Sequence, residues 1–284
     1  MTSITIAQAI REAAQRLEST SDTTRLDAEV LMAHALGVSR SDLLLRHMRD
    51  AVPEGFAPLV ERRAGQEPVA YITGHQEFYG RDFLVSPDVL IPRGDSETIV
   101  DAALSACPAP TRALDCGVGS GALLLSVLAE RPDAAGLGID RSEGALAMAS
   151  ANAERLGLGA RARMEKRDWT QPGWDEGLGR FDCILANPPY VESEAELAPS
   201  VREFEPSGAL FAGPDGLDDY RVLVPQLPKL LSPDGIAVLE IGRTQAEPVR
   251  QLAEKAGFSA VLHEDLAGRP RALLLRFCAW QCSA

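Results

Sequence analysis

From Thr111 onward the apolar positions switch between two periods. Short apolar runs at residues 113–116 and 137–140 read as strands, and each is followed by a stretch at helical spacing, Ala122–Glu130 and residues 144–156. Strand, helix, strand, helix in that order predicts a βαβ unit of a parallel sheet. Further strands are expected at residues 162–165, 181–186 and 236–241, with 258–263 and 271–277 as a closing pair. The link from His263 to Pro270 has no room for a crossover helix, so that pair is expected to be antiparallel.

Upstream the pattern is helical. Ile6, Ile10, Ala13, Ala14 and Leu17 recur at helical spacing through residues 5–18, and Leu26, Val30, Ala33 and Leu36 through residues 24–36, ending at Gly37. Ser39 or Ser41 caps a third helix carrying Leu43, Leu44 and Leu45; a fourth runs from about Pro58 through Arg63 to Gly65, and Glu67-Pro68 opens a short fifth turn. Residues 1–75 therefore predict a small helical bundle. It gathers no titratable cluster in an apolar setting, which suits docking or a stabilising cap rather than catalysis. Alternation around Gly80-Arg81-Asp82 predicts a β-hairpin within a connector, residues 76–92. Asp95 or Ser96 then caps a helix through Val100, Ala103 and Leu104 that stops at Pro108 and Pro110. The expected architecture is α/β, with a catalytic domain over residues 93–284.

Composition narrows the function. The 284 residues are 45% hydrophobic and 24% charged, as in a globular protein, and no apolar run approaches the roughly 20 residues of a membrane span. Met1-Thr2-Ser3-Ile4-Thr5 opens no secretory signal. Five cysteines, Cys107, Cys116, Cys183, Cys278 and Cys282, are an odd number, two of them on expected buried strands, which suits a reducing, cytoplasmic setting. His34, His47, His75 and His263 are too scattered to join them in a metal site, so no metal is expected. The net charge of -13, acquired mostly after residue 75, weighs against a nucleic-acid duplex as partner.

The candidate chemistry lies at strand ends. The apolar run 181–186 meets Asn187-Pro188-Pro189-Tyr190, and the prolines force the chain out of the sheet just after Asn187. An amide side chain, two proline carbonyls and an aromatic ring within four residues can bind a flat NH2 group. The Asn187 oxygen and the Pro188 carbonyl accept its two hydrogens, and Tyr190 packs on its plane. In isolation the same four residues also suit an ordinary Pro-Pro turn. Gly117, Gly119 and Gly121 let the chain turn sharply from strand into helix close to a ligand, and Asp140 is placed to accept from two ribose hydroxyls. Asp168-Trp169 adds an acceptor and an aromatic plane for an adenine ring. Singly these read as a tight turn, a helix cap and a covering tryptophan, and the glycines alone leave a NAD enzyme open. Together they converge from four strand ends on one crevice, where open α/β sheets bind ligands.

Gly117-Val118-Gly119-Ser120-Gly121, Asp140, Asp168-Trp169 and Asn187-Pro188-Pro189-Tyr190, in that order, resemble the S-adenosylmethionine-dependent methyltransferases that act on a planar nitrogen. More closely, residues 67–74, Leu90-Ile91-Pro92-Arg93, Glu205-Pro206 with Ala209-Leu210, Asp215-Gly216-Leu217 and Leu239-Glu240-Ile241-Gly242 resemble the peptide chain release factor N(5)-glutamine methyltransferases, the HemK/PrmC family, over essentially the whole chain. The resemblance implies a Rossmann-like methyltransferase sheet with a small N-terminal helical bundle. It implies S-adenosylmethionine held by Gly117, Val118, Gly119, Ser120, Gly121, Asp140, Asp168, Trp169 and Asn187, with Asn187, Pro188, Pro189 and Tyr190 binding the substrate amide and catalysing its methylation. The implied substrate is the glutamine of the Gly-Gly-Gln motif in class 1 release factors, docked by the bundle. Gly94, Asp95-Ser96-Glu97, Cys116 and Val118 depart from the family's usual residues, near the cofactor loop and away from Asn187. A glutamine methyltransferase of a ribosomal protein would share the site. An adenine-amine DNA methyltransferase would share Asn-Pro-Pro-Tyr but needs a basic cleft, and a non-enzymatic binding module would be expected to lack Asp140 or Asn187.

Overall fold

The computed structural model describes residues 4–277, and their packing divides the chain into two units. One holds the chain up to His75 together with Leu197–Phe204; the other holds Gln76–Glu196 and the chain from Glu205 onward. The stretch expected as one continuous domain from residue 93 is thus interrupted by eight residues that pack with the helical unit.

Thr5 opens the first helix, Ile6–Arg16, with a capping box: Gln8 N–H donates to the Thr5 hydroxyl and Thr5 N–H to Gln8 Oε1. Ile6, Ile10, Ala13 and Leu17 make its buried stripe, packed with Leu43, Phe56, Val60 and Ile72. Helix Thr24–Leu36 is rotated from the expected stripe: Leu26 is exposed, and Ala28, Leu31 and Met32 are buried. Two acidic residues share that buried face because each is paired. Asp27 meets Arg63 at 2.7 Å, and Glu29 meets Arg25 at 2.8 Å and Arg40 at 2.6 Å. Ser39 is the cap of the third helical segment, accepting from Asp42 N–H at 3.0 Å, before a π-helical turn over Leu43–His47. Helix Phe56–Ala64 and the turn Val69–Thr73 complete the unit.

A two-stranded hairpin follows, β1 (His75–Phe78) and β2 (Arg81–Leu84), all of it but His75 within the second unit. Its turn falls at Tyr79-Gly80 rather than around Gly80-Arg81-Asp82. Both turn residues have positive φ, 51° and 69°. Gly80 accepts that at no cost, whereas Tyr79 is held there by donating its N–H to Glu97 and its hydroxyl to Asp101, at 2.8 and 2.7 Å. Helix Glu97–Ala106 follows, without the expected side-chain cap: Ser96 is buried in the preceding 3-10 turn, and Asp95 pairs with Arg271 at 2.9 Å.

The main sheet contains β3 (Arg112–Cys116), β4 (Ala135–Asp140), β5 (Ala162–Lys166), β6 (Phe181–Ala186), β7 (Leu231–Glu240), β8 (Phe258–Glu264) and β9 (Pro270–Phe277), in the order β5-β4-β3-β6-β7-β9-β8. It is parallel from β5 to β7, and β9 runs antiparallel to both neighbours, as the short link to β8 requires. Strand β7 starts five residues before the expected 236, because Leu231 already pairs with Phe181 ahead of a bulge. Alternate residues face opposite layers. Ala113, Cys183, Leu185 and Val238 pack with Ile99, Leu124 and Leu128; Leu114, Cys116, Ile184 and Leu239 pack with Tyr220, Leu223 and Val249. Cys116 and Cys183 are buried free thiols, and Cys278 and Cys282 lie outside the described residues. Among the described residues no helix is long and apolar enough to cross a membrane.

Register sets the height of the strand ends. Cys116 lies opposite Ile139 and Ala186, and Ala186 opposite Leu239. Gly117, Asp140, Asn187 and Glu240 therefore leave four strands at one level. The strand order reverses between β3 and β6, which opens a crevice between their carboxyl ends.

Candidate active site

A cavity of about 190 Å³ occupies that crevice. Its wall carries Asp115 and Gly117 to Ser120 from β3, Asp140 to Ser142 from β4, Arg167 to Trp169 after β5, and Asn187 and Pro189 after β6. Leu90 to Arg93 and Pro206, Gly208 and Ala209 close it. Gly117, Val118, Gly119, Ser120, Asp140, Asp168, Trp169, Asn187 and Pro189 are thus brought together. Gly121, Pro188 and Tyr190 are not among the lining residues.

Each glycine has its own reason. Gly117 has φ 85°, and a Cβ there would stand 3.3 Å from the Trp169 ring, so the indole lies directly over the backbone at the end of β3. Gly121 has φ 86°, and its Cβ would meet Leu125 at 2.8 Å, so its smallness serves packing of the following helix. Between them, Gly119 N–H donates to Asp140 Oδ2 at 3.1 Å, and Ser142 N–H to Oδ1 at 2.9 Å. Two backbone donors orient the Asp140 carboxylate while leaving each oxygen further acceptor capacity.

Asp115, which the glycine pattern did not single out, is 1% exposed on the same wall. Its Oδ2 accepts from Leu124 N–H at 3.3 Å, and its Oδ1 has no hydrogen-bond partner among the described residues. Burial pushes its carboxyl up to about 7, with Asp140 adding to the rise against the Leu124 hydrogen bond. An acidic residue inside a buried apolar strand was the available signal. A buried acceptor without a partner calls for a donor from a ligand, and the ammonium of S-adenosylmethionine is one. The donor set beside it, a carboxylate for a ribose diol and an indole for a purine face, fits the rest of that molecule.

Trp169 is fixed by residues that were not foreseen either. Its Nε1–H donates to Asp219 Oδ1 at 3.1 Å, and its carbonyl accepts from Gln226 Nε2 at 3.1 Å. Both lie in helical segments, Asp218–Leu223 and Val224–Gln226, whose spacing was too short to read. Burial pushes the Asp219 carboxyl up. Asp168 is also pushed up by burial, but hydrogen bonds from the Thr170 side chain and backbone outweigh this and hold it below the ordinary range.

Opposite the glycine loop, Glu205 is 5% exposed. It pairs with Arg93 and accepts from Ile91 N–H at 3.2 Å, while Arg141 donates to the Gly208 carbonyl at 2.6 Å. These contacts tie the 206–209 wall to the 90–93 wall and to the end of β4. Tyr190 turns into the protein, donating its hydroxyl to buried Glu240 at 3.1 Å. Burial, with the Glu240 charge beside it, raises that hydroxyl's pKa and keeps it neutral.

The family model described as the PrmC N-terminal domain matches residues 8–74, and a methyltransferase domain model matches residues 109–266. The release factor glutamine methyltransferase of Rhodospirillum rubrum is 43% identical over 259 residues, covering 89% of this chain and 78% of that protein. The one from Caulobacter vibrioides is 41% identical over 282 residues, covering 95% and 96%. A solved O-methyltransferase family protein from Burkholderia thailandensis superposes with TM-score 0.52 at 14% identity, covering 93% of this chain and 98% of that one, a likeness of fold alone. On the two domain models and relatives of this identity and coverage, the chain belongs to the release factor glutamine methyltransferase family and uses S-adenosylmethionine as its cofactor.

Proposed function

We propose that this enzyme transfers the methyl group of S-adenosylmethionine to the side-chain amide nitrogen of the glutamine in the Gly-Gly-Gln motif of class 1 release factors, in the cytoplasm. The observation that carries the reading is the shared wall: Asn187 and Pro189 line the same small cavity as Asp140, Asp115 and Trp169. In this reading Asp140 accepts from the ribose, Trp169 and Asp168 hold the adenine, and Gly117 to Gly121 allow the backbone to approach the cofactor. The bound cofactor supplies an electrophilic methyl group.

The chain's part in the reaction is to orient. A carboxamide nitrogen is a weak nucleophile because its lone pair is delocalised into the carbonyl. Accepting its two hydrogens at the Asn187 oxygen and the Pro188 carbonyl presents that lone pair to the cavity, which is catalysis by positioning and fixed dipoles. Tyr190 holds the end of the turn. The methylated amide is a strong acid while it carries the extra proton and releases it to solvent without a dedicated base. The helical unit, residues 1–75, serves to dock the release factor. The acidic balance of the chain supports a protein substrate over a nucleic-acid duplex.

The test is a competition. The enzyme is incubated with labelled S-adenosylmethionine and equal amounts of release factor, ribosomal proteins and DNA. Label on the release factor alone is expected. Label on a ribosomal protein or on DNA in its place would overturn the substrate assignment.

A further inference from the structure

Two of the motifs quoted above, Asp215-Gly216-Leu217 and Leu239-Glu240-Ile241-Gly242, contribute no residue to the cavity wall. They meet instead behind Asn-Pro-Pro-Tyr. Pro188 and Pro189 have no N–H to donate, so that turn cannot be held by its own backbone at its middle. The hydrogen bonds that hold the turn lie at its two ends, strand β6 on one side and Tyr190 on the other.

Every polar atom of Tyr190 is engaged. Its N–H donates to the Leu210 carbonyl at 3.1 Å, its hydroxyl donates to Glu240 at 3.1 Å, and its carbonyl accepts from Gln245 Nε2 at 3.0 Å. Gln245 is 8% exposed and uses its whole amide: the second donor goes to the Gly216 carbonyl at 3.1 Å, and Oε1 accepts from Gly242 N–H at 3.0 Å. Gly216, at φ 68°, leaves no room for a side chain, since a Cβ there would overlap the Tyr190 carbonyl and stand 2.7 Å from Gln245 Nε2. Glu240 is 2% exposed, its own carbonyl accepts from Tyr220 at 2.6 Å, and register places it level with Asn187 on the neighbouring strand.

We propose that Gln245, Gly216 and Glu240 are positioning residues: they clamp Tyr190 from behind and thereby fix the Asn187 side chain and the Pro188 carbonyl for the incoming amide. The role rests on the reading of Asn187 and Pro188 given above. It assigns the Asp-Gly-Leu and Leu-Glu-Ile-Gly motifs to the methyl-acceptor half of the site, and joins to them Gln245, which neither motif contains.

Two variants displace the same carbonyl by different means. Gln245→Glu keeps the acceptor for Gly242 but turns the donor toward Tyr190 and Gly216 into a carboxylate oxygen, and Gly216→Ala pushes a methyl group against the Tyr190 carbonyl. Each full-length variant is assayed for S-adenosylmethionine affinity by calorimetry, for kcat and KM on release factor, and for hydrogen exchange in peptides spanning residues 187–191. Both should bind the cofactor within about threefold of wild type, lose kcat by about tenfold to a hundredfold, and exchange faster over 187–191. Gln245→Glu should also regain kcat, relative to wild type at the same pH, as pH falls, because burial raises a carboxyl at this position and only its protonated form can donate to Tyr190; a merely structural role would move cofactor affinity, relative to wild type, along with kcat. Unchanged exchange with unchanged kcat in both variants would overturn the clamp. Loss of cofactor binding in step with kcat would overturn it too, by making these residues general supports of the fold. A wild-type enzyme that leaves release factor unmethylated would defeat the substrate reading alone, and the exchange measurement would still decide the clamp.

Discussion

At the scale of single residues, Asp140 and Asp115 offer acceptors to one ligand from different settings. Asp140 is oriented by two backbone N–H groups and stands ready to accept more. Asp140→Ala should weaken S-adenosylmethionine binding by about 1.5 to 3 kcal/mol for each hydroxyl bond lost, with the fold retained, as calorimetry and a melting curve would show. Asp115 is raised by burial to about 7, against an ordinary value of 3.8. The folded chain therefore holds a proton that the unfolded chain has lost between those values. Its stabilising share is complete below about pH 4 and is lost as pH rises through about 7, and Asp115→Asn should remove that slope from a stability-versus-pH series. Binding of a cationic cofactor needs the ionised form, so affinity should fall as pH drops below about 7 in the wild type and stay flat in Asp115→Asn. Asn187→Ala should change cofactor affinity only modestly and cut kcat on the order of a hundredfold or more, because one preorganised acceptor is gone. Asn187→Asp keeps an acceptor and should retain part of the activity. Near-normal turnover of the alanine variant at saturating substrates would rule out the role assigned to Asn187.

At the scale of elements, the site depends on strand ends held at one level with tight turns leaving them. Gly117→Ala would force a side chain into positive φ, 3.3 Å from the Trp169 ring. It should weaken cofactor binding while Gly37→Ala, at a positive φ with open space around it, costs only modest stability; equal cofactor affinity in the two variants would contradict the stacking role of Trp169. The parallel strands and the turns from Gly117, Asp140 and Asn187 were legible in the sequence because buried strands are short apolar runs and their ends are marked by Gly, Asp or Pro. Partners remote in sequence were not. Glu97 and Asp101 fix the hairpin turn at Tyr79, Arg63 neutralises Asp27 inside a helix face that would otherwise read as polar, and Leu231 pairs with Phe181 across a Ser-Pro-Asp-Gly stretch that looks like a turn. Asp219 and Gln226, which hold Trp169, belong to segments of six and three residues, too short to carry a period.

For the whole molecule, the chain passes from the Asn-Pro-Pro-Tyr turn into the helical unit at Leu197–Phe204 and back to Glu205, which holds the opposite wall. The docking role proposed for the helical unit can be tested without cutting the chain. Arg63→Met leaves Asp27 buried with Ser21 and Thr23 as its side-chain partners among the described residues, and should destabilise that unit by about 3 kcal/mol. KM for release factor should rise while S-adenosylmethionine affinity stays unchanged; a loosened unit with an unchanged KM would reduce it to a stabilising cap. The central claim is the identity of the methylated atom, and the most direct measurement is peptide mapping by mass spectrometry of release factor treated with the enzyme and S-adenosylmethionine. The account predicts one methyl group, on the side-chain amide nitrogen of the Gly-Gly-Gln glutamine, absent when Asn187→Ala replaces the wild type. A methyl group on any other residue, or an unmodified motif under conditions where the enzyme turns over its cofactor on another acceptor, would contradict it.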